Sequence, residues 1–101
     1  MSMNNPIQQL NKIFDSRIRI GIMSALSVNE NMNFNDLKAL IDVTDGNLAT
    51  HLKTLEDAGY LQVQKGFIGR KTNTTYQMTL EGSTAFKKHL DALESIINGM
   101  K

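Results

Sequence analysis

Asn47, Thr50, Lys53 and Thr54 are the side chains here whose types and spacing suit the reading of a double helix. They lie on one face of the stretch from Thr44 to Tyr60. Leu48, Leu52 and Leu55, at i, i+4 and i+7, form an apolar stripe on the other face. A helix held in a core by one face and offering short amides and hydroxyls on the other fits a major groove. Asparagine pairs with the adenine edge there, and threonine offers a hydroxyl or a methyl group. Lys53, slightly round the helix, suits a phosphate. A second set is Arg70 and Lys71, with Lys65 nearby, whose charges displace counterions from a phosphate backbone or reach a minor groove. Asn35 and Lys38 stand where the preceding helix would begin and suit backbone phosphates.

Two residues in this stretch carry alternatives. His51 flanks the leucine stripe, so it is either a base contact or a half-buried packing histidine. Gly46 falls in the first helical turn, where glycine costs about 1 kcal/mol relative to alanine. Either a phosphate approaches closely there, or the preceding helix does.

The elements that must position these groups follow from periodicity and caps. Ile7, Leu10, Ile13 and Phe14 recur at helical spacing after Pro6, a helix-start residue. Asp15 or Ser16 caps a second run with Ile18, Ile22, Ala25 and Leu26 on one face. Asn29 to Asn33 reads as a loop, with Phe34 in a short extended piece. Asn35 then caps a short helix carrying Leu37, Leu40 and Ile41. Asp42-Val43 makes a turn, Thr44 caps the third helix, and Gly59 stops it. Two helices separated by such a turn have helix-turn-helix spacing.

Leu61, Val63 and Lys65 alternate with glutamines as a strand, and Thr75 to Thr79 reads as a second one. Residues 66–74 between them read as a long, flexible loop with a cationic tip. Thr79 caps a final helix, along which Phe86, Leu90, Leu93, Ile97 and Met100 step as a short heptad-like seam. The class is α+β, mainly α: a single domain over 1–101, with a helix-turn-helix at about 35–58, a two-stranded wing at about 61–79 and a long C-terminal helix at about 80–100.

Composition bounds the function. Hydrophobic residues make up 41% of the 101, and charged residues 21%, as in a globular domain. The formal net charge is only +1, so nucleic-acid binding would rest on where the charges sit. With no cysteine there is no disulfide scaffold, thiol nucleophile or thiolate metal site. His51 and His89 lie in separate elements without ligand-spaced carboxylates, so neither a metal nor another cofactor is expected. His89, beside Phe86 and Leu90, reads as packing or interface rather than chemistry. No nucleophile–base arrangement, phosphate-cradling glycine loop or carboxylate pair stands at a recognisable spacing, so no catalytic residue is assigned and no enzyme is expected. No apolar run reaches membrane-spanning length, and Met1 to Pro6 lacks the pattern of a secretory leader, so a cytoplasmic protein is expected.

Four pieces of the sequence resemble the short winged helix-turn-helix transcriptional regulators related to the MarR and ArsR families. They are Arg17-Ile18-Arg19-Ile20, the block Asp45-Gly46-Asn47-Leu48 continuing to Ala58-Gly59-Tyr60, the wing Phe67 to Lys71 leading to Tyr76, and Met78-Thr79-Leu80-Glu81-Gly82. The resemblance spans roughly residues 17–90. It implies a dimeric regulator that binds double-stranded DNA sequence-specifically, its third helix in the major groove and its wing on the backbone or minor groove.

A dimer also follows from affinity, because one small module with few cations binds weakly and two on one frame gain by effective concentration. The expected seam joins Phe86, Leu90, Leu93 and Ile97 to Ile7, Leu10, Ile13 and Phe14 of a second copy. The alternative is that both stripes cover their own core. A small-molecule effector between helices is compatible with this frame, although no residue names one. The rival function is a winged-helix protein-interaction module that does not read DNA, which the near-neutral charge would suit.

Overall fold

A computed structural model describes residues 5–99. The chain begins with two 3-10 turns, Pro6–Gln9 and Lys12–Phe14. Asn5 and Asn11 cap them by accepting the amide hydrogens of Ile7 and Ile13 at 3.0 and 2.9 Å. The helical spacing of Ile7 to Phe14 thus resolves into two tight turns, because each asparagine restarts the chain. Helix α1 (Arg17–Val28) follows, with Ser16 as its cap, and buries Ile22, Met23, Ala25 and Leu26. A two-residue strand β1 (Met32–Asn33) leads into α2 (Phe34–Ile41).

The cap of α2 is Asn33, whose side chain accepts the Asp36 amide hydrogen at 2.8 Å. Asn35 is therefore not the cap; it lies exposed in the first turn. Either asparagine satisfies the local rule. Pairing of β1 with the wing, Met32 opposite Tyr76 and Asn33 opposite Thr75, fixes where the extended chain ends and selects the earlier one.

Helix α3 (Asp45–Asp57) starts at Thr44, which accepts the Asn47 amide hydrogen at 3.2 Å. Leu48, Leu52 and Leu55 are closed to solvent beneath it, each contributing about 1.5–3 kcal/mol by burial. Gly59, at φ +82°, ends the helix. Its amide donates to Glu56 and that of Tyr60 to Leu55, both at 2.9 Å, which is the Schellman pair.

Strands β2 (Leu61–Ile68) and β3 (Lys71–Met78) pair from Leu61–Met78 out to Ile68–Lys71. The expected long loop over 66–74 is thus a correction: only Gly69 and Arg70 lie outside the ladder. Gly69 at φ +62° supplies the left-handed first position that a two-residue II′ turn takes. Phe67, Ile68, Thr72 and Thr74 favour the extended chain more strongly than the neighbouring glycines oppose it. With β1 the sheet has three antiparallel strands in the order β1-β3-β2, one more than the hairpin expected.

Helix α4 (Leu80–Gly99) has 20 residues and so runs about 30 Å. Met100, the last position of the expected seam, lies outside the described residues. The start of α4 is bolted to the end of α3. The Thr79 hydroxyl donates to Gly59 O at 2.7 Å and accepts the Gly82 amide hydrogen at 2.9 Å. A β-carbon on Gly82 would stand 2.3 Å from the Tyr60 carbonyl oxygen, so only glycine lets the two elements approach this closely.

Phe14 ties the N-terminal turns to this junction, stacking on Tyr60 with centroids 5.6 Å apart and meeting Phe86 edge-on at 5.3 Å. Buried His89 accepts the Asn11 amide hydrogen at Nδ1, 3.0 Å away, so it is a packing residue.

Candidate nucleic-acid interface

The exposed face of α3 is small and smooth. Gly46, Asn47, Ala49, Thr50 and Lys53 are all open to solvent along it. A β-carbon on Gly46 would meet nothing within 4 Å, so packing against α2 does not explain the glycine. Of the two alternatives, close approach from outside the chain remains. The side chains of Asn47 and Thr50 are exposed to solvent. Thr54 is less available, being half-buried, and its hydroxyl donates to the Thr50 carbonyl at 3.1 Å.

His51 takes the packing arrangement. Its ring is half-buried, and its Nδ1 lies 2.8 Å from Nη1 of Arg19 on α1. Arginine can only donate, so Nδ1 is the unprotonated acceptor. Burial, and then the Arg19 charge, push the histidine pKa below its usual value. Arg19 also donates through Nε to the Ile13 carbonyl, pinning α3 to the second N-terminal turn.

The cations divide sharply by element. Lys53 holds Asp57 at 3.0 Å, and the hydrogen bond to Asp57 raises the lysine pKa. Lys38 reaches across to Asp45 at 2.7 Å. Between them α2, the turn and α3 hold these two lysines against five carboxylates, Asp36, Asp42, Asp45, Glu56 and Asp57. The wing is the reverse: Lys65, Arg70 and Lys71, with no carboxylate from residue 61 to 78. Among the described residues the three ion pairs engage Lys38, Lys53 and Lys87, which leaves the wing cations without a carboxylate partner.

Between α3 and the wing runs a crevice of about 410 Å³. Ala49, Lys53 and Glu56 line one wall, and Val63, Lys65, Thr74 and Tyr76 the other. Burial and then the Glu56 charge raise the pKa of the Tyr76 hydroxyl above its usual value. Thr74 and Tyr76 were not among the site residues expected from sequence. Strand alternation places both on the Lys65 face once the register is known, and the register was not legible.

The expected dimer residues separate. Phe14 and Phe86 are buried in this chain's own core at 1% and 6% exposure, so they are not surface contacts, a correction to the expected seam. Leu10 and Ile13 are half-buried. Ile7, Leu90, Leu93 and Ile97 remain exposed, the last three as one stripe down α4. Among the described residues no three His, Asp or Glu gather as metal ligands, and no helix is long and apolar enough to cross a membrane.

A helix-turn-helix packed under a wing, with a long helix closing the core, defines a winged-helix DNA-binding domain. The family model of that description matches residues 18–97, and the chain belongs to this family. An uncharacterised protein of Methanocaldococcus jannaschii is 39% identical over 79 residues, which cover 78% of this chain and 86% of that one. A transcriptional regulator homologue from Pyrococcus horikoshii shares the fold with a TM-score of 0.77 and 29% identity, covering 93% of this chain and 98% of its own. A transcriptional regulator of the MarR family from Enterococcus faecalis matches in fold at a TM-score of 0.73 and 18% identity, over 97% of this chain and 84% of its own. The chain fits a short winged-helix regulator.

Proposed function

We propose that the chain is a sequence-specific regulator that grips double-stranded DNA as a homodimer. In each copy α3 enters the major groove with Asn47 and Thr50 toward the bases. Lys65, Arg70 and Lys71 hold the backbone or the adjacent minor groove. Lys38 and Lys53 join them by exchanging a carboxylate for a phosphate, and Asn35 lies within the same surface. The apolar stripe of Leu90, Leu93 and Ile97, with Ile7, joins two copies and sets the spacing of the half-sites.

The observation that carries this reading is the pairing of an unobstructed α3 face at Gly46 with a wing that holds only positive charge. The carboxylate excess on α2 and α3 favours the second reading, a protein-interaction module, because acidic groups resist approach to phosphate. Selection from a random-sequence duplex pool separates the two. A DNA regulator of this form enriches a palindrome with half-sites about one helical turn apart. A pool that returns unenriched, with no retention of DNA at low salt, supports the interaction module instead.

A further inference from the structure

The wing carries one group that neither the cations nor the ladder use. Phe67 is 73% exposed, close to the hairpin tip. An isolated exposed apolar side chain needs no explanation on its own, but the position of this one is specific. Successive strand residues alternate between faces, so Val63, Lys65 and Phe67 share one side of β2. Register adds their partners Tyr76, Thr74 and Thr72 to the same side. Val63, Lys65, Thr74 and Tyr76 line the crevice beside α3, which makes this the face turned toward the reading helix. Phe67 is the next rung outward. Ile68, also exposed at 67%, falls on the opposite face beside Lys71.

We propose that Phe67 is a minor-groove wedge, an aromatic side chain that enters the base stack beside the groove held by Arg70 and Lys71 and bends the duplex. The inference rests on the DNA-binding reading. Charge complementarity commits the occupant to nucleic acid: Phe67 shares its face of the hairpin with Lys65, Arg70 stands in the adjoining turn and Lys71 on the opposite face, with no carboxylate in the hairpin. Among the described residues the ring has no aromatic partner, since the aromatic contacts there all centre on Phe14. Apolar wedges of this kind unstack a step and kink DNA by about 20–90°. The hairpin supports such a thrust because it is paired to its last rung, with only Gly69 and Arg70 in the turn.

The test uses the full chain and an end-labelled 30-base-pair duplex, and reads end-to-end distance by energy transfer together with affinity. The duplex carries the sequence enriched from a random pool or, if none emerges, an AT-rich sequence containing TA steps. Wild type is expected to shorten the end-to-end distance. Phe67→Ala is expected to bind about tenfold more weakly and leave the duplex straight. Its salt dependence stays that of wild type, because no charge is lost. Ile68→Ala, equally exposed but on the other face, is expected to bend DNA as wild type does. Both residues are solvent-exposed, so both variants fold.

A bend that survives Phe67→Ala, or that Ile68→Ala abolishes equally, overturns the wedge while leaving DNA binding intact. So does a duplex that wild type binds without bending. A change of oligomeric mass on Phe67→Ala, with the bend retained, assigns the tip to a second copy and overturns it too. Failure of wild type to bind any duplex at low salt overturns the DNA reading itself, and the wedge with it.

Discussion

Gly46 separates stability from function more cleanly than any other residue. It lies within α3 and meets nothing within 4 Å, so alanine there fills open space. Gly46→Ala is expected to stabilise the fold by about 0.5–1 kcal/mol, read as a higher thermal midpoint, and to weaken binding to the selected duplex. Stabilisation with unchanged affinity would mean that nothing approaches this turn. At His51 the folded-state pKa is depressed, so the neutral ring is favoured in the native state. The stability it supports is present above the unfolded pKa of about 6.5 and is lost as pH falls toward the folded value. The difference in unfolding free energy between wild type and His51→Gln should therefore shrink on acidification from pH 7 to 5, and a constant difference would contradict the lowered pKa. From its angle on the helix, His51 was open between a base contact and a half-buried packing residue, and the structure takes the second. Its partner was not legible, because Arg19 lies 32 positions earlier and only the packing of α1 on α3 brings them together.

Elements were legible where local chemistry decides them and obscure where pairing decides them. The Thr44 cap, the leucine stripe and the Gly59 stop of α3 lie within one short stretch, and each satisfies its own local rule. The start of α4 at Thr79 is of the same kind. The Asn33 cap and the wing tip were misread, since β1 and the outer rungs of the hairpin form only against β3. The joint between α3, β2 and α4 hinges on Gly82. Gly82→Ala drives a methyl group into the Tyr60 carbonyl and is expected to cost about 1–3 kcal/mol, measured as a lower urea midpoint. Unaltered stability would show that α4 can shift without consequence.

At the scale of the molecule, the long dimension of about 60 Å against 25 and 21 Å comes with two projections, the wing and α4. Each is exposed where it leaves the core, one cationic and one apolar. The charge split between wing and reading helix is visible in the sequence, yet the quenching of Lys38 by Asp45 and of Lys53 by Asp57 needed geometry. Leu93→Glu together with Ile97→Glu places charge on the α4 stripe without touching the core and is expected to halve the solution mass to that of one chain. A mass still at twice the chain would remove the stripe from the interface.

The central claim is that the wing supplies the electrostatic grip. It is tested most directly by titrating salt against the selected duplex, with wild type and an Arg70→Gln, Lys71→Gln variant. Lys65, Arg70 and Lys71 in two copies contribute about −5 to the slope of log affinity on log salt, and the variant is expected to have a slope shallower than wild type by about 4. Equal slopes for the two proteins would contradict the account.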